Sequence, residues 1–558
     1  MTELTRRGFA QAAAVLAAAA PLQAQASGAQ PMDAVAMAQA VRTGKATASE
    51  LVEAAITRLE KVDPQINAVA LPNFERARQM AAAGVAGPLA GVPTLIKDVA
   101  SQAGLPFTFG SRAYRNRIGV TDAPYVVAAE RSGIVSIGRS TTPELGLSGT
   151  TQSLLTGPTR NPWNLDHSVG GSSGGAAAAV AAGVVPVAHA SDSGGSIRVP
   201  AAANGLVGLK PSRGRMVGAQ NDHAVTDLTV NNCVSRTVRD TAAWFAATEL
   251  VGEGARFAPV GVIAGPDARR LRIGVHPAEN NDAPPSPDVA AVFARALPLL
   301  RRLGHKVTDQ PLAFDIARAN QAMRVMFGAA AASRVKAVGV DLGREPGPDD
   351  LEPLTLGLAE IGRRSAPGDL GAAVATLTEA VQGYTAQFEA FDVYMTPTQN
   401  KPPVPLSYLD PTLPAETQME RVFGFAPTWI DNIAGTPAIT LPMGQSQAGL
   451  PLGLQFSTHA GGEAVLLQLA FELERELQWY RRAPPIWWGD TGDVARHAIG
   501  VRPFATGAAI PAATNDPSLQ RDQNHAFALT RRHPGALPAR PGPGLDPPRP
   551  HGHRGHRL

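Results

Sequence analysis

Two short stretches of this 558-residue chain could do chemistry. The first is Gly170-Gly171-Ser172-Ser173-Gly174-Gly175. The second is Ser191-Asp192-Ser193-Gly194-Gly195-Ser196-Ile197-Arg198. Glycine beside serine lets backbone N–H groups turn inward, because no Cβ blocks the approach. Amides presented in this way can hold the oxyanion of a tetrahedral intermediate. Two such clusters within 29 residues point to a hydroxyl nucleophile with a backbone cradle. The plainer alternative is a pair of flexible loops. A third candidate is Lys97, which follows the apolar run Thr94-Leu95-Ile96. Burying an ammonium is costly unless it is paired or neutral. On its own, a lysine in this place is expected to snorkel to water.

The elements that must position these groups alternate between strand and helix. Residues 94–96 read as a buried strand. Residues 174–190 carry no charge, but Gly183 and Pro186 interrupt them. They therefore read as a buried helix over 174–182 and a strand over 184–187, not as a membrane span. Upstream, Thr47-Ala48-Ser49-Glu50 is a capping box. It opens a helix whose apolar stripe is Leu51, Val52, Ala55, Ile56 and Leu59, and which is expected to end before Pro64. Further helices are predicted over 33–42, 124–131, 236–249, 289–303, 317–338, 370–388 and 462–479. Strands are predicted over 133–138, 271–275, 392–397, 432–443 and 453–457. Residues 139–146, 157–167 and 339–353 read as loops. No internal repeat is visible, and the alternation points to an α/β fold with a mixed sheet.

Composition narrows the field. Hydrophobic residues are 44% and charged residues 17% of the chain, ordinary for a globular protein. Cys233 is the only cysteine, so no intrachain disulfide and no cysteine zinc site can form. It lies in Val230-Asn231-Asn232-Cys233-Val234, which reads as a buried or edge segment. The net charge of +3 is unevenly spread. Residues 501–558 hold eight Arg and three Asp, hence +5, and residues 1–26 hold two Arg and one Glu, hence +1. The middle is therefore about −3, and charge gives no support for nucleic-acid binding.

The two ends differ from the body. Arg6-Arg7, Phe9, an alanine-rich run and Ala24-Gln25-Ala26 make the pattern of a twin-arginine export signal over residues 1–26. The expectation is a protein that works in the periplasm, with an apolar run too short for a stable membrane span. Residues 496–558 are rich in Pro, Gly, Ala and Arg, and are expected to be a disordered extension. Its terminal histidines, His551, His553 and His556, are a weaker sign of metal binding. Residues 27–495 remain as the catalytic body.

Taken together, Lys97 in GVPTLIKD, the GGSSGG cluster, and SDSGGSIR with GLVGLKP behind it resemble the amidase signature family. The resemblance spans about residues 33 to 490. Lys97 lies 75 residues before Ser172, and Ser172 lies 24 before Ser196, intervals similar to the family's. GLKPSRGR and the alanine-rich middle look closest to amidases related to 6-aminohexanoate cyclic-dimer hydrolase. The resemblance implies a large central mixed β-sheet flanked by helices on both faces. It implies Ser196 as nucleophile, Ser172 as a bridging serine in a cis peptide, and Lys97 as base. The N–H groups of Ser193, Gly194, Gly195 and Ser196 would line the oxyanion hole. Asp192 and Arg198 would brace the loop, with Ser173 assisting. It implies a small-molecule amide as substrate, linear or cyclic, with no metal and no cofactor, and it is compatible with a homodimer. By the same analogy, Met323, Met326, Phe327, Thr396, Trp429 and Ile433 are candidates for the pocket wall. Ser191 stands where the family usually has Thr, and RSTTPE (139–144) replaces a more usual GKTNxPE.

The implied chemistry is physically coherent. Serine needs an adjacent base, and lysine serves only when neutral. Lowering its pKa from about 10.4 to between about 7 and 8 takes roughly 4 kcal/mol, which burial can supply. His167 and His189 would then be structural. Three rival readings stand beside this one. A GxSxG esterase would use Ser173, but needs a strong strand just before the motif, which 164–168 does not suggest. A catalytically silent periplasmic binding protein on the same scaffold would not need all three catalytic positions filled. A cytosolic amidotransferase subunit would not carry an export signal.

Overall fold

Strands that are buried along their whole length need cover on both faces, and this chain supplies it. The computed structural model describes residues 32–219, 225–277, 284–423 and 428–488. The expected export signal and the C-terminal extension lie outside these residues. A first sheet has three strands: β1 (Val69–Pro72), β2 (Pro93–Lys97) and β3 (Val135–Ser140), in the order β1-β3-β2. Strand β2 is parallel to β3, and β1 is antiparallel to it.

A second sheet has eight strands. They are β4 (Val187–Asp192), β5 (Val207–Lys210), β6 (Val230–Ser235), β7 (Arg272–Val275), β8 (Lys306–Asp309), β9 (Val393–Pro397), β10 (Ala438–Gln445) and β11 (Pro451–Ser457). Their order is β8-β7-β9-β11-β10-β5-β6-β4. Strand β7 is parallel to β8 and β9, and the remaining pairs are antiparallel, so the sheet is mixed.

The two sheets meet edge to edge, β2 against β4, through side chains instead of a ladder. The Thr94 hydroxyl donates to the Val187 carbonyl at 2.8 Å. The Lys97 N–H donates to Nδ1 of His189 at 3.2 Å. A ring nitrogen that accepts carries no proton, so Nε2 is the protonated one and donates to Asn231 Oδ1 at 3.1 Å. His189 is therefore a structural bridge, and burial pushes its pKa down to about 4. The bridge sets the end of β2, Lys97, beside the end of β4, Ser191-Asp192.

The packing of the helix Arg198–Asn204 shows how the second sheet is covered. Gly208 of β5 and Gly453 of β11 face this helix: a Cβ on either would lie 2.6 Å from Ala201 Cβ or 2.7 Å from Ala202 Cβ. Their alternating neighbours Leu209, Leu452 and Leu454 join another apolar cluster, with Phe293 of helix Pro287–Arg302 and Leu466 of helix Glu463–Leu477. A separate cluster joins Leu95, Val135 and Ala188 to helices Ala48–Ile66 and Gly174–Ala181. Helices thus cover both faces of a mixed sheet, as expected.

Several boundaries differ from the sequence reading. The helix opened by the Thr47 capping box does not stop before Pro64; it runs through it to Ile66. The strand expected at 184–187 begins at Val187 and runs on into Ser191-Asp192. Gly183 (φ +78) and Pro186 occupy the turn between helix and strand, which delays pairing until Val187. Residues 432–434, expected in a strand, close the short helix Trp429–Ala434. The helix Pro353–Arg364 was not foreseen. Cys233 lies in β6, fully buried, and burial pushes its thiol pKa up. Among the described residues no helix is long and apolar enough to cross a membrane.

Candidate active site

Lys97 does not snorkel. It ends β2 at 1% exposure, because β4 and the first glycine-serine cluster close over it. Its Nζ lies 2.8 Å from Ser172 Oγ and 3.1 Å from Ser191 Oγ. No carboxylate lies within ion-pair distance among the described residues. Burial pushes its pKa from 10.5 to about 7; the charge of Asp192 opposes this and that of Arg334 adds to it. At neutral pH the amine is thus divided between its two protonation states.

Ser172 is also buried, and the Gly171–Ser172 peptide bond is cis. Gly146 lies beside it: a Cβ there would sit 3.4 Å from Ser172 Oγ, on a backbone at φ +69. Ser173 turns the other way. Its hydroxyl donates to the Ser191 carbonyl at 3.2 Å and accepts from the Ser191 N–H at 3.3 Å. Its own N–H donates to the Ser196 carbonyl at 3.3 Å, so the two clusters lie side by side. Ser196 is half-buried, two residues before the helix Arg198–Asn204 begins.

The loop between β4 and that helix is organised by Asp192. Its carboxylate accepts from the N–H groups of Gly195 (2.7 Å) and Ile197 (3.1 Å) and from the Arg198 guanidinium (3.0 Å). Burial alone would raise its pKa, but Arg198, Lys210 and the Asn432 amide hold it well below the carboxylate range. Because the Gly195 N–H is committed to Asp192, the amides of Ser193, Gly194 and Ser196 are the ones left without a hydrogen bond among the described residues.

Arg198 is fully buried and satisfied. Nε and Nη2 hold Asp192; Nη1 reaches Asp431 (3.1 Å) and Gln455 (2.8 Å); Nη2 also reaches Asn432 (2.6 Å). Asp431 in turn accepts from Tyr384, Thr436 and Ser457. Thr428 completes the support: its hydroxyl donates to the Gly194 carbonyl. Asp431, Asn432, Gln455 and Thr428 were missed by the sequence reading, and Ser191, which was singled out there only as a departure from the family's Thr, proves to contact Lys97. The four missed residues lie more than 200 residues beyond the motif, on elements whose local pattern carries no sign of chemistry.

A cavity of 960 Å³ opens on this arrangement, with Lys97, Ser172, Ser191 and Ser193 in its wall. Ser196 follows three residues after Ser193, outside that wall. Of the expected pocket residues, Met326 and Phe327 line the cavity. Met323, Trp429 and Ile433 belong instead to an apolar core cluster, and Thr396 lies within β9.

A mixed sheet whose edge lysine meets a cis-peptide serine, next to an aspartate-braced Gly-Gly-Ser loop, defines a class. The chain belongs to the amidase signature family: the family model, Amidase, matches residues 50–467. Members hydrolyse amides, and this chain is an enzyme of that family. It is 39% identical over 460 residues to "Putative amidase AmiC" of Mycobacterium tuberculosis (strain ATCC 25618 / H37Rv), covering 81% of this chain and 96% of the relative. It is 34% identical over 486 residues to 6-aminohexanoate-cyclic-dimer hydrolase of Pseudomonas sp. (strain NK87), again covering 81% and 96%. The solved structure of a 6-aminohexanoate cyclic dimer hydrolase superposes with a TM-score of 0.74 at 34% identity, over 82% of this chain and 99% of that one. A bacterial aryl acylamidase of the same family follows at 0.72 and 26% identity, over 80% and 97%. The kinship with cyclic-dimer hydrolases expected from GLKPSRGR is thus found.

Proposed function

We propose that the chain hydrolyses a carboxylic amide through an acyl-enzyme on Ser196, with Ser172 as proton relay and Lys97 as base. The observation that carries this reading is the 2.8 Å contact between Lys97 Nζ and Ser172 Oγ, made by a buried lysine whose pKa falls near 7. A neutral amine accepts the Ser172 proton as Ser172 accepts that of Ser196. Ser196 Oγ attacks the carbonyl carbon, and the oxyanion is met by the N–H groups of Ser193, Gly194 and Ser196. Gly195 serves differently, fixing the loop on Asp192. The proton returns through Ser172 to the departing nitrogen, the C–N bond breaks, and ammonia or an amine leaves. Water then attacks the acyl-enzyme by the same relay and frees the carboxylate.

The GxSxG esterase reading is not supported by the surroundings of Ser173. The strand before it, Asn164–Ser168, lies outside the eight-stranded sheet, in a two-stranded ribbon with Arg160–Asn161. The Ser173 hydroxyl is spent on the Ser191 backbone. The silent binding-protein reading would leave the lowered Lys97 pKa without a purpose. We further propose export by the twin-arginine route, with residues 27–495 as the catalytic body. Replacing Arg6-Arg7 by lysines should keep the protein out of the periplasmic fraction.

The test is a panel of primary, aryl, cyclic and peptide amides, assayed by ammonia or amine release with Ser196→Ala as control. Turnover that vanishes in the variant, together with fluorophosphonate labelling of Ser196, is the expected result. Turnover that survives Ser196→Ala would overturn the assignment.

A further inference from the structure

Four charged side chains contribute to the wall of the 960 Å³ cavity: Lys97, Arg117, Asp227 and Arg334. Arg117 has its counter-ion, Asp341, at 3.3 Å, and its guanidinium lies over the Tyr114 ring. Asp227 is itself partnered. Arg334 is different. It comes from the long helix Ile316–Leu342 and contributes to the cavity wall while remaining exposed to solvent. Its Nη1 donates to the Leu145 carbonyl at 3.0 Å. Among the described residues no carboxylate lies within 4.0 Å of it. A guanidinium carries five donors, so an edge formed by Nε and Nη2 is left for an incoming group.

The one bond Arg334 makes among the described residues places its guanidinium beside Leu145. Leu145 precedes Gly146, and it is Gly146 whose missing Cβ leaves room beside Ser172 Oγ. Arg334 is therefore tied to the residue next to the reacting centre. Its charge is felt at Lys97, whose protonated form it disfavours. The cavity wall also carries the apolar residues Phe109, Leu145, Met326, Phe327 and Val338. A guanidinium with no carboxylate partner among the described residues favours an anion that can take two parallel N–H bonds, and a carboxylate has that geometry.

We propose that Arg334 is a specificity-determining residue that binds a carboxylate carried by the substrate, so that the preferred substrates are amides of dicarboxylic acids or amides with an acidic amine half. The inference rests on the reading of this cavity as the amidase site and names the substrate class for it. A cation fixed beside the site holds the free acid end while the amide end lies at the serine.

The test separates binding from turnover. In the Ser196→Ala protein, calorimetry would compare glutaramate with its methyl ester, which has the same chain and no charge. Glutaramate should bind at least tenfold more tightly, with an affinity that falls as salt rises. Adding Arg334→Met should remove the preference, and Arg334→Lys should restore part of it. A merely structural role for Arg334 would weaken both compounds alike and leave their ratio intact. Equal affinities, no measurable binding of either compound, or a preference that survives Arg334→Met would overturn the proposal. The amidase reading fails separately: wild-type protein that binds glutaramate through Arg334 but does not release ammonia from it would refute the acyl-enzyme and leave the carboxylate site standing.

Discussion

Replacing Lys97 by methionine should make the protein both less active and more stable, and both effects should titrate together. Lys97 loses about 3.5 pKa units on folding, from 10.5 to about 7. At about 1.36 kcal/mol per unit, holding its charge in the fold costs about 4 kcal/mol at pH 7. Below pH 7 both the folded and the unfolded chain carry the proton, and the fold bears the full penalty. Between 7 and 10.5 only the unfolded chain binds it, so stability rises with pH. Above 10.5 the contribution is gone. Methionine has nearly the same volume and no charge. It forfeits the contacts with Ser172 and Ser191, worth about 1 kcal/mol in net stability. Lys97→Met should therefore exceed the wild type by about 3 kcal/mol at pH 7 in denaturant unfolding, and the gap should nearly close by pH 10. Activity moves the other way. Loss of a general base typically removes a factor of about 10² to 10⁴. In the wild type, kcat/KM should fall tenfold per unit below pH 7, leaving about one part in a hundred at pH 5. The variant has nothing to titrate there and should be flat, so the wild-type advantage shrinks about a hundredfold between pH 8 and pH 5. His189 cannot account for the limb, since its pKa is pushed to about 4. A variant no more stable than the wild type, or one that keeps a limb near pH 7, would refute the idea of a desolvated lysine base.

The same geometry gives narrower expectations. Ser172→Ala should lower kcat by about 10² to 10⁴ with little change in KM, because it breaks the proton path and not the pocket; steady-state kinetics would show it. Asp192→Asn should cost about 3 to 5 kcal/mol in denaturant unfolding, since it leaves the buried Arg198 guanidinium short of its closest counter-charge. Gly195→Ala should abolish fluorophosphonate labelling, because the new Cβ would meet Thr428 Oγ1 at 2.1 Å on a backbone at φ +132. A matched Thr428→Ala change should recover part of it. His189→Leu should lower stability by about 1 to 3 kcal/mol, the consequence of leaving the Lys97 N–H buried without an acceptor.

How much of this was legible in the sequence depended on whether the signal was local. The glycine-serine clusters and the cap at Thr47 are short patterns with one structural outcome each, and they led to the right elements. The protonation of Lys97 was half-legible: an apolar run before a lysine is ambiguous until the fold shows what lies over it. Sequence reasoning favoured a snorkelling side chain, and only the family resemblance pointed inward. Asp431, Asn432 and Gln455 were illegible because each is an ordinary polar residue on a short helix or a strand, brought under the Gly-Gly-Ser loop by the order β11-β10-β5-β6-β4. Pro64 misled because proline was taken as a stop, whereas the helix tolerates it in its last turn.

The two buried cations of the site show why these residues had to be handled in opposite ways. Arg198 cannot lose its proton, so its burial is sustained only by acceptors for every N–H, and Asp192, Asp431, Asn432 and Gln455 provide them. Lys97 can lose its proton, and the fold denies it a carboxylate while giving it two hydroxyls. A carboxylate within ion-pair distance would stabilise the ammonium, raise its pKa and remove the base. The charge of Asp192 does raise the Lys97 pKa. The close pairing of Asp192 with Arg198 limits that effect, so the arginine that braces the Gly-Gly-Ser loop also shields the lysine from its neighbour's charge. Arg198→Met should therefore do more than loosen the loop. With only Lys210 and the Asn432 amide left to offset Asp192, the Lys97 pKa should rise, and the acid limb of kcat/KM should move up from about 7 in whatever activity remains. A residual activity with the limb unmoved would show that Arg198 acts on geometry alone.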